Sequence, residues 1–343
     1  MHLFSVLKAL ASSLFLLFFT VNFAQENAVF IEDFRDSKVV YADFGMSAAP
    51  FSILNNFPNS IHKISFKNNF KPILGIGFAY KWFSMRVAFP ILGNVRPKAD
   101  FGETKQFNLG FDYTYKKVYF DLEYKILEGY AIKNATAWDT NQSSLHSNEI
   151  KPETGAFNLS LNAWYFDNVN FKMNALLGKR ARVKQKVQTW YVKGTFNVFG
   201  VENGKNSLIP IQLQNPAKGQ TQAKSFSSLD FGLIPGYAYA NRYKYWQFSG
   251  WLGLGGVIQG KVYNLPNSST RGFLGLAPRY DLRFIAGYST DEVFLIFVAE
   301  FDNKSIRFND LIYRQYYYSL RLVGGYRFNQ AKTKQGKEKK KSY

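Results

Sequence analysis

Hydrophobic and polar residues alternate along most of this chain. From Phe107 to Ile126, FNLGFDYTYKKVYFDLEYKI sets Phe107, Leu109, Phe111, Tyr113 and Tyr115 against Asn108, Gly110, Asp112 and Thr114. After Lys116-Lys117 it restarts, with Val118, Phe120, Leu122, Tyr124 and Ile126 against Tyr119, Asp121, Glu123 and Lys125. Successive side chains of a strand point to opposite faces, so the stretch predicts a hairpin with one apolar and one polar face. With Lys116-Lys117 at the tip, Tyr115 faces Val118, Tyr113 faces Phe120 and Asp112 faces Asp121. Each arm is about ten residues, the length of a tilted strand that crosses a bilayer.

The same alternation recurs. Leu74, Ile76, Phe78, Tyr80 and Trp82 lead into Met85, Val87 and Phe89. Leu159, Leu161, Ala163 and Tyr165 are expected to pair with Val169, Phe171, Met173, Ala175 and Leu177 around Asp167-Asn168. A third hairpin turns near Asn241-Arg242 and a fourth across Ser289 to Glu292, and the last strand runs from Tyr316 to Phe328. Long polar stretches fall at Pro90 to Glu103, Glu128 to Glu153, Asn215 to Lys224, Gly260 to Arg271 and Asp302 to Arg314, alternating with the short turns. Ile61 to Lys67 and Lys205 to Gln214 read equally as short strands or loop. The pattern therefore predicts an all-β, transmembrane, antiparallel up-and-down β-barrel with an even strand number of 12–14. Short turns place the C-terminus in the periplasm and long loops outside.

The ends agree with export. Lys8 precedes the apolar run Ala9 to Val21, and Asn22-Phe23-Ala24 ends in a small residue, so residues 1–24 read as a cleaved signal peptide. Residues 25–328 then form the barrel, with Leu320, Leu322, Tyr326 and Phe328 as the terminal signal for the barrel-assembly machinery. Residues 329–343 carry six Lys and one Glu and read as a basic disordered periplasmic tail. No later stretch offers 18 consecutive apolar residues for a spanning helix, and cysteine is absent, which excludes a disulfide framework and thiolate chemistry.

Composition sharpens this. Aromatics make up 18% of the chain, with 34 Phe and 22 Tyr, an excess suited to a lipid face and its two interfaces. The net charge of +19 points to anionic headgroups, glycans or solutes rather than nucleic acid, given export. With the apolar set turned to lipid, Lys81, Arg86, Asp112, Asp121, Glu123, Lys125, Lys172, Lys193, Asp230, Arg279, Asp281, Arg283, Arg321 and Arg327 face the lumen. Asp112 opposite Asp121 is a repulsive pair that needs a nearby cation, and Arg279 or Arg283 from another strand is the expected source. This network is the candidate site.

The segments LGIGFAYKW at Leu74 to Trp82, GETK at Gly102 to Lys105, EGY at Glu128 to Tyr130, SLIP at Ser207 to Pro210 and GYAY at Gly236 to Tyr239 resemble a family of uncharacterised outer-membrane barrels from Bacteroidota, a domain of unknown function. The resemblance implies a barrel in the outer membrane and assigns no catalytic or binding residue.

Catalysis, metal binding and cofactors are not expected. His2 leaves with the signal, while His62 and His146 fall in loops without ligand spacing or a strand-held nucleophile. The expected role is non-enzymatic: passage or binding of small anionic or amphipathic solutes through the charged lumen. The alternative is a structural or adhesive barrel whose loops, above all Glu128 to Glu153, bind a surface partner. A lipid hydrolase in the outer leaflet is the least favoured reading.

Overall fold

The computed structural model describes residues 30–328 except 92, 116–117, 140–145, 169 and 268. Residues 1–24, expected as a signal peptide, residues 329–343, expected as a disordered tail, and the Lys116-Lys117 tip lie outside the described residues. In chain order the elements are β1 Ile31–Asp33, β2 Lys38–Ala48, β3 Phe51–Leu54, β4 Lys63–Asn68, β5 Pro72–Tyr80, β6 Phe83–Pro90, α1 Lys98–Phe101, β7 Lys105–Tyr115 and β8 Val118–Ile132. They continue with β9 Glu149–Phe166, α2 Met173–Leu177, β10 Ala181–Val183, β11 Val187–Asn203, β12 Ser225–Tyr243, β13 Trp246–Asn264, β14 Thr270–Ser289, β15 Val293–Phe308 and β16 Leu311–Phe328.

All pairings are antiparallel. The wall runs β2-β5-β6-β7-β8-β9-β11-β12-β13-β14-β15-β16 and closes where β16 pairs β2, which makes twelve strands. The hairpin β3–β4 extends β2 and β5 upward, so that β3 pairs β16 and β4 pairs β8. These two bring the sheet to fourteen strands. The wall therefore narrows above the β6–β7 hairpin. The switch of β8 from β7 to β4 falls at a bulge between Glu128 and Tyr130. Gly129 sits there at φ +93, and a side chain would strike the Glu103 carbonyl, so only glycine fits.

The outward face is apolar around the whole circumference. Phe44, Ile76, Met85, Leu161, Phe231, Leu254, Phe284, Phe297 and Leu322 are all exposed. An apolar belt of this extent needs lipid to cover it. Trp82, Tyr115, Tyr165, Trp190, Tyr243, Trp246 and Tyr326 gather at the end where both described termini lie, as an interfacial aromatic girdle. We call this the terminal end and the opposite one the loop end. The chain is a transmembrane β-barrel of outer-membrane type, with the Phe107–Ile126 hairpin in the register its alternation predicts.

Three expectations are corrected. Phe171 to Leu177 does not form a strand, and Val169 lies outside the described residues; β9 pairs β11 instead, and the segment from Phe171 folds into the lumen. There Met173–Leu177 is a helical turn that ends at Gly178, φ +70, while β10 pairs with β1. A short apolar run with alternate hydrophobics serves a buried helix as well as a strand, and Asn174 inside it favours the helix no less than the strand. Gly260 to Arg271 and Asp302 to Arg314 are mostly strand, joined by residues 265–269 and 309–310. Likewise β8 and β9 run into the Glu128 to Glu153 stretch, leaving residues 133–148 as the connection.

Two apolar layers cross the lumen. Near the loop end Phe51, Phe66, Tyr130, Phe199, Phe226, Phe308 and Tyr313 pack with Leu208, Ile209 and Leu213 of the β11–β12 connection. Near the terminal end Tyr41, Trp164, Phe166, Tyr191 and Phe294 of the wall pack on Phe171, Met173, Leu176, Ala181 and Val183 of the inserted segment. Burial of the Phe, Leu, Ile, Val and Met side chains among these contributes about 1.5–3 kcal/mol each.

Candidate functional site

Between the two plugs lies a charged layer built from inward positions of the wall. Each strand contributes because the period of two that turns Phe or Leu to lipid turns the intervening residue inward. Glu300 of β15 is shared by the strands beside it, with Arg283 Nε of β14 at 3.0 Å and Arg321 Nη2 of β16 at 2.5 Å. Across the lumen Arg86 of β6 grips Asp43 of β2 through two bonds of 2.6 Å, a fork-on-fork geometry.

Asp281 of β14 gathers donors from several strands. Its Oδ2 accepts from Trp251 Nε1 at 3.1 Å, and from Trp164 Nε1 and Tyr191 Oη at 3.4 Å each. Lys193 Nζ approaches its Oδ1 at 3.4 Å and lies over the Trp164 ring at 4.7 Å. Arg279 pairs with fully buried Asp230, which also accepts from Ser228 Oγ and, at 2.9 Å, from Gln259 Nε2. Lys304, almost wholly buried, donates to Asn158, Ser160 and Asn197 and lies 3.6 Å from Asp302. Glu123 and Lys125, two apart on β8, pair at 2.7 Å.

Asp112 and Asp121 do face each other. The cation that answers Asp112 is neither Arg279 nor Arg283. It is Arg180, which follows α2 in the inserted segment and bonds both Asp112 and Asn174, the latter at 2.9 Å. Arg279 is taken by Asp230 and Arg283 by Glu300. Asp121 makes no salt bridge among the described residues; it lines the cavity with Arg283 and Lys193 as its neighbouring cations.

Other expected members leave the network. Arg327 faces inward but belongs to the terminal plug: its guanidinium donates to the carbonyls of Gly178, Lys179 and Thr290 at 2.6–2.7 Å and to Ser289 Oγ at 3.1 Å. Lys81 is exposed in the β5–β6 turn, and Lys172 pairs with Asp33 at the mouth of the plug. Asp43, Glu300, Asp302, Lys304 and Arg180 join in their place. The basic excess read from the sequence thus gives way to a nearly balanced set of pairs. Asp302 and Lys304 were hidden because the sequence pattern ended that strand at Phe301.

The layer is not solid. A cavity of about 90 Å³ is lined by Asp121, Glu123, Lys125, Lys193, Arg279, Arg283 and Arg321. A second of about 90 Å³ shares Arg86, Asn108, Asp121, Glu123, Arg283, Glu300 and Arg321 with it, so the two adjoin across these side chains and together make up the charged chamber. At about 10–15 Å³ per water, each half has room for several waters or a small polar group. Arg279 Nε, Arg321 Nε and Arg180 Nη1 are buried without a hydrogen-bond partner, as is the acceptor Asn108 Oδ1.

His146 lies at the loop end, where its Nδ1 is 2.9 Å from Asp100 Oδ1 of α1. Asn148 Nδ2 donates to the Asp100 carbonyl at 3.1 Å. Both contacts tie the β8–β9 connection to the β6–β7 connection.

A family model described as a domain of unknown function, DUF4421, matches residues 26–328. No curated protein matches the chain. Among solved structures, the β domain of the Bordetella autotransporter Brka is similar at 12% identity and TM-score 0.35, over 83% of this chain and 99% of that one. An outer membrane channel from Pseudomonas putida F1 is similar at 10% identity and TM-score 0.35, over 88% and 100%. The Pseudomonas putida toluene transporter TodX gives 7% and 0.28, over 86% and 90%. Identity of this order transfers no solute or partner.

Proposed function

We propose that this chain, which belongs to the family of unknown function DUF4421, is a non-enzymatic outer-membrane barrel that binds small anionic or amphipathic solutes in its charged chamber and passes them when the terminal plug moves. The observation that carries this reading is the set of buried guanidinium N–H groups left without partners, two of which, Arg279 Nε and Arg321 Nε, belong to residues lining the chamber. A buried donor without an acceptor is costly, and a carboxylate or phosphate group entering the cavity supplies one. The apolar layers above and below suit the hydrocarbon part of an amphipathic solute and close the resting path. In this reading residues 1–24 are removed on export, 25–328 form the barrel, the terminal end and the basic tail 329–343 face the periplasm, and the final strand engages the assembly machinery.

Trp164 and Trp251 both touch Asp281 in the chamber, so intrinsic fluorescence reports occupancy. Titration with inorganic phosphate and with short-chain carboxylates should give a saturable change that Arg279→Ala and Arg321→Ala weaken. Planar bilayers should show discrete conductance once the plug is released. Silence in both measurements removes the proposal. The adhesive reading rests on the closed lumen and the β8–β9 connection; loss of a surface partner on deleting residues 133–148, with the barrel intact, would favour it instead.

A further inference from the structure

Among the described residues, the β14–β15 seam of the wall is unzipped over much of its length. β14 and β15 pair only between Asp281–Asp302 and Ser289–Phe294, although β14 reaches up to Thr270 and β15 to Phe308. On their far sides both remain paired, β14 with β13 up to Thr270 and β15 with β16 up to Phe308. Two sheet edges therefore face each other across a wedge that opens toward the loop end. The two acids Asp281 and Asp302 stand opposite at its base, where like charges weaken pairing.

Most of this wedge is capped. The Tyr280 N–H donates to Asn303 Oδ1 at 2.8 Å. Pro278 has no N–H, and its carbonyl accepts from Arg279 Nη1 at 3.3 Å. On the β15 side the Ser305 carbonyl accepts from Gln259 Nε2 at 2.9 Å and the Arg307 carbonyl from Lys261 Nζ. Lys261 crosses β14 at Gly275, where an added Cβ would lie 2.7 Å from Nζ.

What is left uncapped is specific. Because the Tyr280 N–H points at β15, the backbone groups of Pro278, Leu276 and Leu274 point the same way. Those of Leu274 and Leu276 have no partner on that edge among the described residues. Their side chains are 84% and 82% exposed, more than any other large apolar side chain described. Arg271 on β14 and Arg307 on β15, both exposed, stand on the two strands of the wedge, while Asp310 of the adjoining turn is held by Lys218 at 2.8 Å.

Neither solvent suits this edge. Lipid would cover the leucines but leave backbone N–H and C=O groups unsatisfied, which a bilayer penalises heavily. Water would satisfy the backbone and leave two leucines bare. An extended polypeptide satisfies both, and acidic side chains on it would meet Arg271 and Arg307. We propose that the β14 edge from Gly272 to Leu276 is a docking site for an extended strand of a partner protein that carries acidic residues at alternate positions.

The test uses the folded barrel in lipid nanodiscs and a fluorescent peptide alternating Val and Glu, read by anisotropy. Saturable binding is expected. Leu274→Pro with Leu276→Pro removes both edge N–H donors and leaves pairing with β13 in place, so affinity should fall about tenfold or more. Should that variant fail to fold, as judged by heat-modifiable gel mobility, the same peptide N-methylated at alternate residues tests the same bonds on the unaltered barrel and should bind as weakly. Absence of binding overturns the proposal. So does binding that survives N-methylation, falls only with Arg271→Gln and Arg307→Gln, and is displaced by vesicles containing phosphatidylglycerol, since that pattern marks an anionic lipid surface.

Discussion

Replacing Arg327 with Met should free the terminal plug. The side chain is fully buried, and four hydrogen bonds hold its guanidinium. Two of these, to Gly178 and Lys179 carbonyls, reach the inserted segment; the others, to Thr290 and Ser289, stay on the β14–β15 turn. Arg327 is thus a bridge between plug and wall. Hydrogen bonds from a charged donor contribute about 1.5–3 kcal/mol each, so losing the two plug contacts costs about 3 kcal/mol at the lower figure. At 1.4 kcal/mol per decade, the fraction of barrels with the plug displaced should rise by about a hundredfold. Methionine keeps most of the volume against Phe34 and Phe294, whose rings the guanidinium now covers at 4.3 and 4.7 Å, so the wall should survive. Single-channel recording in planar bilayers should show frequent openings in Arg327→Met and rare ones in the parent chain. Limited proteolysis should cut residues 167–186 faster in the variant. Barrels that stay silent, with the segment as resistant as before, would refute the view of this segment as a releasable plug.

Asp112→Asn should leave Arg180 buried without its carboxylate and cost about 3–5 kcal/mol, seen as a lower unfolding midpoint in micelles; pairing it with Arg180→Met should recover much of that loss. Glu300→Gln strips the shared carboxylate from Arg283 and Arg321, so phosphate should bind the chamber more tightly in the fluorescence titration. Gly129→Ala meets both a left-handed backbone and the Glu103 carbonyl, and should destabilise by more than about 1 kcal/mol and lower the yield of heat-modifiable barrel. Hydrogen bonds from Lys98 and Lys71 hold the Glu103 carboxyl below its ordinary range. The contribution of that tie is therefore complete above the ordinary glutamate value and fades as pH falls through the lowered one, and protease cleavage in residues 91–104 should rise only in that acidic range.

The wall was legible because a membrane enforces one rule at every residue: lipid on one face, lumen on the other. Phe111 against Leu122 and Asp112 against Asp121 follow from parity and turn position alone. Where that rule stops, so did the reading. Met173, Ala175, Leu176 and Leu177 are apolar for a different reason, packing in one cluster with Phe171, Trp164 and Tyr191 inside the lumen, and alternation cannot separate an internal helix from a strand in so short a run. Parity also says which side chains enter the lumen but not which of them meet. Arg283 lies level with Glu300 on the next strand and is consumed there, whereas Arg180 reaches Asp112 from 68 residues away along the chain. Such a pairing depends on the path of an inserted segment, which no strand periodicity encodes.

The source of that cation couples closure to charge. With the plug seated, Arg180 answers Asp112, and the facing acids Asp112 and Asp121 are tolerated. Withdrawal of the segment takes Arg180 along, as well as Lys179, which lies over the Tyr41 ring at 4.5 Å. The β7–β8 hairpin would then present two opposed carboxylates to the opened mouth, repelling each other across the ladder. The rest of the chamber keeps its own pairs, since Asp43, Glu300, Asp281 and Asp230 draw their cations from the wall. Displacement of the segment would therefore leave Asp112 and Asp121 facing each other without Arg180, while the pairs within the wall stay as they are. That penalty would fall on the displaced state alone, and so it favours the seated plug. The hairpin that announces the barrel in the sequence is in this sense also the part of the wall that holds it shut.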